Sequence, residues 1–186
     1  MNKPFATGIV KLKCIHDPRE MLIAIDPGPQ ESAFIVMKRK EKEIFSFGKV
    51  HNVDMLQLLR IHNKHDLIIE MIKSYGMPVG DEVFMTCLWI GRFIQAHAIE
   101  DNGHEILVGR KTVSLFICNS PRAKDANVRT ALIDIYGKPG TSKHPGPTFG
   151  ITGDVWSALA VAHYAIETNS FLGNLDDAEN SLSSSR

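Results

Sequence analysis

The chain has 186 residues, of which 44% are hydrophobic and 23% are charged. This composition predicts one globular domain with a single buried core. The 21 basic and 21 acidic residues give a formal net charge of zero. A global field directed at nucleic acid or a membrane is thereby excluded, so any electrostatic binding site must be local.

The cysteines and the hydropathy pattern indicate the cellular compartment in which the protein is found. Cys14, Cys87 and Cys118 are widely spaced and odd in number, which favours reduced, buried thiols over a disulfide framework or a zinc site. No apolar run is long enough to span a bilayer, and the first residues lack the pattern of a signal peptide. We therefore expect a cytoplasmic protein with no membrane partner.

The first chemically informative strand begins at residue 21. Residues 1–20 are mixed in character and predict an N-terminal extension with little chemistry. The apolar run at residues 21–25 suits a strand buried on both faces. The strand ends in Asp26, and Pro27 and Gly28 turn the chain at once. Asp26 is therefore expected to project from the strand end into a cleft.

Two further strands and a helix follow. Residues 32–37 and 43–49 read as strands joined by an exposed, charged hairpin at residues 38–42, which predicts three adjacent antiparallel strands. Residues 54–62 carry apolar side chains at helical spacing, with Asp54 placed to cap the helix.

The strand at residues 66–71 brings a second acid of interest. Because a helix separates this strand from the antiparallel group, the connection is a crossover, and the strand should lie parallel to that of Asp26. Glu70 interrupts its apolar sequence near the end that corresponds to Asp26. The two carboxylates are therefore expected to be neighbours.

An unusually apolar helix is predicted at residues 81–99. Its apolar residues cover more than one stripe, so one face is expected to pack on the sheet and the other on something else. Periodicity alone leaves two occupants open for the second face, a homodimer partner or another part of the same domain.

The remaining elements complete an α/β domain over residues 21–170. A fifth strand is predicted at residues 104–108 and helices at 123–136 and 154–166, whereas residues 112–118 suit either a strand or a short helix. The tail at residues 171–186 has little apolar material and predicts disorder. The expected architecture is a mixed five-stranded sheet, three antiparallel strands plus two parallel ones, flanked by helices.

Three carboxylates can converge in this arrangement. Asp26 ends its strand, Glu70 lies on the parallel neighbour, and Asp154 begins the last helix. Clustered carboxylates repel unless a cation neutralises them, and an oxygen-only set suits Mg²⁺ or Mn²⁺. Two such ions about 4 Å apart can clamp the attacking and leaving oxygens of a phosphodiester displacement.

Each acid also has a structural interpretation that the sequence leaves open. Asp26 before Pro-Gly suits a turn, Glu70 suits a paired structural acid, and Asp154 suits a helix cap. The joint structural interpretation is weaker, because a Glu inside an apolar strand is costly to bury without a partner.

Four motifs in this order resemble those of RuvC-type Holliday-junction resolvases, especially bacteriophage and prophage variants. They are IAIDPG at residues 23–28, IIE at 68–70, AKDANVR at 123–129 and GDVWSALAVA at 153–162. The resemblance implies an RNase H-like fold, a homodimer, and four acids with two divalent ions that nick four-way DNA junctions. It also implies a bacterial cell, or one infected by a phage, as the setting.

The resemblance assigns Asp26 and Glu70 to the first two acids of the family, but one later acid is missing. Alignment of the Ala-Leu-Ala run places Asp154 at the third acid and Ser157 where the fourth is expected. If the gap is moved instead, Asp154 takes the fourth place and Ile151 the third, so one acid is missing in either alignment. Asp125 is the candidate replacement as a fourth catalytic acid. It is also explained as an acid favoured by the dipole at a helix start.

Basic residues near the last two helices are candidates for DNA contact. Taken singly, each also suits a solvated surface, but as a set on a neutral protein they indicate a phosphate-binding rim. Tyr75, in the loop after Glu70, suits either stacking on an unpaired base or ordinary loop packing. The predicted DNA-binding set is Arg110, Lys111, Arg122, Lys124, Arg129, Lys143 and Tyr75.

Two competing functions follow from the same residues. The missing fourth acid is compatible with a catalytically silent module that binds branched DNA. An ATPase or phosphotransferase of the actin-like branch of the fold also begins with an acid before a turn, but it needs a glycine-rich phosphate hairpin and a second domain, which residues 26–28 and one short chain do not supply.

Overall fold

A computed structural model describes residues 20–74, 76, 78–98 and 104–170. The predicted N-terminal extension, apart from Glu20, and the predicted disordered tail lie outside the described residues, as do Cys14 and Tyr75. Within the described ranges, no helix has the length and apolar character required to cross a bilayer.

The sheet has five strands in the order β3-β2-β1-β4-β5. β1 pairs with β2 and β2 with β3 in antiparallel fashion, whereas β4 is parallel to both β1 and β5. The predicted crossover and the mixed sheet are therefore confirmed. The strands are β1 (Met21–Asp26), β2 (Glu31–Lys38), β3 (Glu43–His51), β4 (Asp66–Met71) and β5 (Glu105–Gly109).

Five helices connect and cover these strands in the described part of the chain. The undecided segment 112–118 belongs to a helix, because its buried Val113 and Ser114 pack with the neighbouring helices and outweigh the β-branched residues at its start. The helices are α1 (Asn52–Ile61), α2 (Asp81–His97), α3 (Arg110–Cys118), α4 (Asp125–Tyr136) and α5 (Val155–Glu167).

Two local predictions were wrong. Asp54 does not cap α1, because the helix begins two residues earlier at Asn52 and Asp54 lies within its first turn. Cys87 and Cys118 are free, as predicted, but they are partly exposed and not buried.

Each face of the sheet has its own hydrophobic core. Alternation along β1 directs Leu22 and Ala24 to one face and Ile23 and Ile25 to the other. The Ile23 face packs on α1 and α2, and the Leu22 face packs on α5 with α3 and α4 outside it.

α5 is the central helix of the domain. Ten of its 13 residues are buried, and it lies against β1, β2 and β4 on one side and α3 and α4 on the other. Its small side chains at Ala158, Ala162 and Ala165, which share one face of the helix, are fully buried and suit close packing.

α2 is amphipathic in the folded chain, although its sequence is apolar on two faces. Ile90 and Phe93 are buried against the sheet, with exposures of 3% and 0%. Phe84, Met85 and Leu88 point away from it and are 63%, 44% and 55% exposed. The second apolar face is therefore not covered by the described part of the same chain.

Candidate active site

The strand register brings Asp26 and Glu70 side by side. β1 and β4 run in parallel with Ile25 opposite Ile69, and one further residue along each strand places Asp26 beside Glu70. Residues directly opposite each other in a sheet point to the same face. Both acids therefore lie at the carboxyl ends of adjacent strands, on the α5 side.

The same row continues across the antiparallel strands. Asp26 is opposite Ala33, and Ala33 is opposite Lys49. Lys49 therefore shares the face of Asp26 and Glu70, two strands away from Asp26. It was not among the predicted site residues, although the hairpin register and the period of two along β3 would have indicated it.

Asp154 reaches the site from the turn that precedes α5. Gly153 adopts a left-handed backbone with φ of +51°, which glycine accommodates without steric cost. Asp154 occupies the helix cap position, but its side chain makes no capping hydrogen bond. Instead, its Oδ2 accepts a hydrogen bond from Lys49 Nζ at 2.7 Å. The residue therefore has the predicted cap position, but its carboxylate pairs with a lysine and does not cap the helix.

Burial and neighbouring charge perturb Asp26. Its pKa rises from 3.8 to about 7, chiefly because the carboxyl is buried and next because Glu70 and Asp154 are close. Arg110 and a hydrogen bond from the Ser157 hydroxyl oppose this rise. Asp26 therefore lies close to two other acids. Its environment differs from that of an aspartate that serves only to form a turn.

Glu70 and Asp125 share one cation. Arg110 Nη1 lies 3.5 Å from Glu70 Oε1, and Arg110 Nη2 donates to Asp125 Oδ1. Burial raises the pKa of Glu70, whose side chain is 12% exposed, and Arg110 counteracts the rise. Asp125 is 80% exposed and is linked to the cluster through Arg110.

Two clefts share Asp154 in their linings. One, of about 630 Å³, is lined by Glu70, Arg110, Asp125 and Ser157 among others. The second, of about 460 Å³, is lined by Asp26, Pro27, Gly28, Pro29, Gln30, Glu31, Lys49, Glu82 and Asp154. Asp154 lines both clefts, so it belongs to the cleft of Asp26 and to the cleft of Glu70.

The donor set suits a hard divalent cation. Asp26, Glu70 and Asp154 offer only carboxylate oxygens. Burial, and next the charges of Glu70 and Asp154, raise the pKa of Asp26, and a bound cation would favour its ionised form. No group of three ligating side chains in the described ranges already stands in a metal-binding arrangement. Lys49 holds Asp154, and Arg110 lies against Glu70; both contacts must loosen for the acids to converge on an ion.

The predicted DNA-binding residues fall into two groups. Arg110 and Arg129 line the Glu70 cleft, and the guanidinium of Arg129 lies 5.2 Å from the centre of the Trp156 ring. The others that are described are exposed outside the clefts: Lys111, Arg122, Lys124 and Lys143.

Comparison with known proteins identifies the fold. No protein-family model matches the sequence, and no curated protein matches it either. Among solved structures, Thermus thermophilus RuvC has a TM-score of 0.61 at 15% identity, covering 81% of this chain and 96% of that chain. T. thermophilus RuvC in complex with a Holliday junction substrate has a TM-score of 0.59 at 16% identity, covering 81% and 97%. The chain therefore has the RNase H-like fold of RuvC, as its sequence motifs predicted.

Proposed function

We propose that this protein is a metal-dependent, structure-selective endonuclease that cleaves phosphodiester bonds in four-way or other branched DNA junctions. The observation that carries the proposal is the position of Asp26, Glu70 and Asp154 at one end of the sheet, where burial, and next the charges of the other two acids, raise the pKa of Asp26. The shared fold with a RuvC whose solved complex contains a Holliday junction supports the choice of substrate.

The acids would hold the metal. Asp26, Glu70 and Asp154 are the proposed ligands of two Mg²⁺ or Mn²⁺ ions, and Asp125, beside Arg110, is the proposed fourth catalytic acid. When bound, such ions activate water and stabilise the charge that develops on a phosphodiester under attack. A hydrogen bond from the Ser157 hydroxyl favours the ionised form of Asp26 and partly opposes the rise in its pKa.

The basic residues would position the substrate. Phosphate contacts fix the register of a duplex without reading its sequence. Arg110 and Arg129 lie in the Glu70 cleft, where they can hold the backbone of the strand to be cut. Lys111, Arg122, Lys124 and Lys143 supply further positive charge, and Tyr75 remains a prediction for base stacking.

The apolar face of α2 supports a homodimer. Phe84, Met85 and Leu88 form a contiguous exposed patch on one helix, and such patches mark protein interfaces more often than solvent-facing surface. A four-way junction presents two equivalent strands, so two sites related by twofold symmetry would cut both. The proposed setting is the cytoplasm of a bacterium or of a cell infected by a phage.

The deciding experiment is junction cleavage with labelled strands. Wild type should nick four-way junctions in Mg²⁺ or Mn²⁺ and leave them intact in EDTA. Asp26→Asn should reduce the rate more than about 100-fold, because loss of even an outer partner of a metal ligand costs roughly 10- to 100-fold. Asp134→Asn, an exposed acid on α4, serves as the matched control and should cut at the wild-type rate.

A catalytically silent junction-binding module is the second candidate. The pairs Lys49 with Asp154 and Arg110 with Glu70 satisfy the acids without any ion, and Ser157 occupies the place expected for an acid. In the same experiment, wild type and Asp26→Asn that bind junctions equally, with no product across Mg²⁺ and Mn²⁺, would establish this candidate and exclude the nuclease.

A further inference from the structure

Lys49 is a cation in the acidic part of the site. Its Nζ lies 2.7 Å from Asp154 Oδ2, and its place in the sheet row puts it on the face of Asp26 and Glu70. Glu31 and Glu82 line the same cleft. Among the described residues that line this cleft, Lys49 is the single Lys or Arg.

The ion pair contributes little to holding the fold together. The side chains of Lys49 and Asp154 are 45% and 54% exposed, and exposed pairs of this kind contribute little to stability because water and salt screen the two charges. A long, half-exposed lysine side chain can therefore change partners at small cost.

Metal and DNA would both alter the partner of Lys49. A divalent ion held by Asp154 would be repelled by an ammonium group at the same carboxylate. A DNA phosphate in the cleft would meet Asp26, Glu31 and Glu82, all of which repel it. Lys49 is the group in this cleft that can offset that repulsion.

We propose that Lys49 exchanges partners, from the Asp154 carboxylate in the metal-free protein to a backbone phosphate of the bound DNA strand once a divalent ion is held. This role rests on the proposed function. Lys49 would thereby be a positioning residue for the substrate in the cleft of Asp26, whereas Arg110 and Arg129 line the cleft of Glu70.

The test uses Lys49→Met, which keeps length and removes charge, with Lys49→Arg as the conservative variant. The matched control is Lys38→Met, since Lys38 forms a similar ion pair with Glu43 at 2.5 Å at the opposite end of β2 from the site. The first measurement is Mn²⁺ binding by calorimetry without DNA. The second is binding of a fluorescent four-way junction in Ca²⁺ over a series of salt concentrations.

Lys49→Met should bind Mn²⁺ about three- to tenfold more tightly, because a competing positive charge is gone. Its junction affinity should fall, and the slope of log affinity against log salt should decrease by about one, as expected for one lost phosphate contact. Lys49→Arg and Lys38→Met should both remain close to wild type.

Unchanged Mn²⁺ affinity or an unchanged salt slope in Lys49→Met would overturn the exchange, even in a protein that cuts junctions. A wild type that binds neither Mn²⁺ nor junctions would instead overturn the proposed function and this role together. The two failures are distinguishable, because only the second is visible in the wild type.

Discussion

At the scale of single residues, the crowding of Asp26 has a consequence for stability. Its pKa is about 7 in the folded chain, against an ordinary value of 3.8 for an aspartate free of these neighbours, so the folded state binds more protons between these values. The associated stability is present at low pH and is lost as the pH rises through 7. The metal-free site therefore opposes folding at neutral and alkaline pH.

We accordingly expect Asp26→Asn to stabilise the metal-free protein at alkaline pH. The gain in the free energy of unfolding at pH 8 should exceed that at pH 5 by on the order of 2 kcal/mol, because the variant cannot acquire the buried charge. Urea denaturation in EDTA at both pH values provides the measurement. An equal effect at pH 5 and pH 8 would show that charge is not the cause.

Residues differ in how far their roles could be predicted from sequence. Asp26 and Glu70 were predictable as neighbours, because a strand end and a crossover fix where each side chain emerges. The ion pairs of Asp154 and Asp125 could not be predicted, since the long side chains of Lys49 and Arg110 form them by crossing from one element to another. The sequence carries no local signal for such contacts.

At the scale of elements, the turn between α1 and β4 holds two histidines in a mutual hydrogen bond. His62 Nδ1 and His65 Nδ1 are 2.9 Å apart, so one ring donates and the other accepts. The two facing nitrogens therefore cannot both carry a proton. Burial lowers the pKa of both rings, and the charges of His62 and His97 help to lower that of His65 to about 4.

This turn should make the fold sensitive to acid. A histidine with a lowered folded pKa binds fewer protons when folded, so stability is complete above about 6.5 and falls as the pH drops toward 4. His65→Gln should lose less stability than wild type between pH 6.5 and pH 4.5 in chemical denaturation. His51→Gln, which alters a histidine 73% exposed, is the control, and its curve should parallel that of wild type.

Elements were predicted well where their packing is local and poorly where it is not. The strands and α5 follow from hydrophobic runs that the core then buries. α3 was undecided because its nine residues fit either period, and only packing on α4 and α5 selects the helix. Likewise, α1 begins at Asn52 and not at residue 54, where the sequence predicted it to begin. The side-chain amide of Asn52 donates a hydrogen bond to the carbonyl of Gly28, which is distant in sequence.

At the scale of the whole molecule, the exposed apolar patch on α2 predicts that two copies of the chain form a dimer. Phe84→Glu combined with Leu88→Glu should convert a dimer to a monomer, because two buried charges at an apolar interface are costly. Light scattering coupled to gel filtration measures this. The fold should persist by circular dichroism, since both side chains are exposed in the single chain.

Leu115→Glu provides the control for this pair, since Leu115 is also exposed, at 50%, but on α3 at the opposite face of the sheet. It should leave the mass in solution unchanged. A wild type that is already monomeric would refute the proposed dimer.

The three acids are brought together only after α5 has packed on the sheet. α5 is the last described helix in the chain, yet it packs on β1, β2 and β4 and carries Asp154 at its start. Contacts between such distant parts of a chain are slow to form and are absent from shorter pieces of it. A chain made only as far as α4, or cut ahead of residue 154 by a protease, would hold two repelling acids and no third. In the proposed nuclease, incomplete or damaged copies would therefore lack one metal ligand and should not cut DNA.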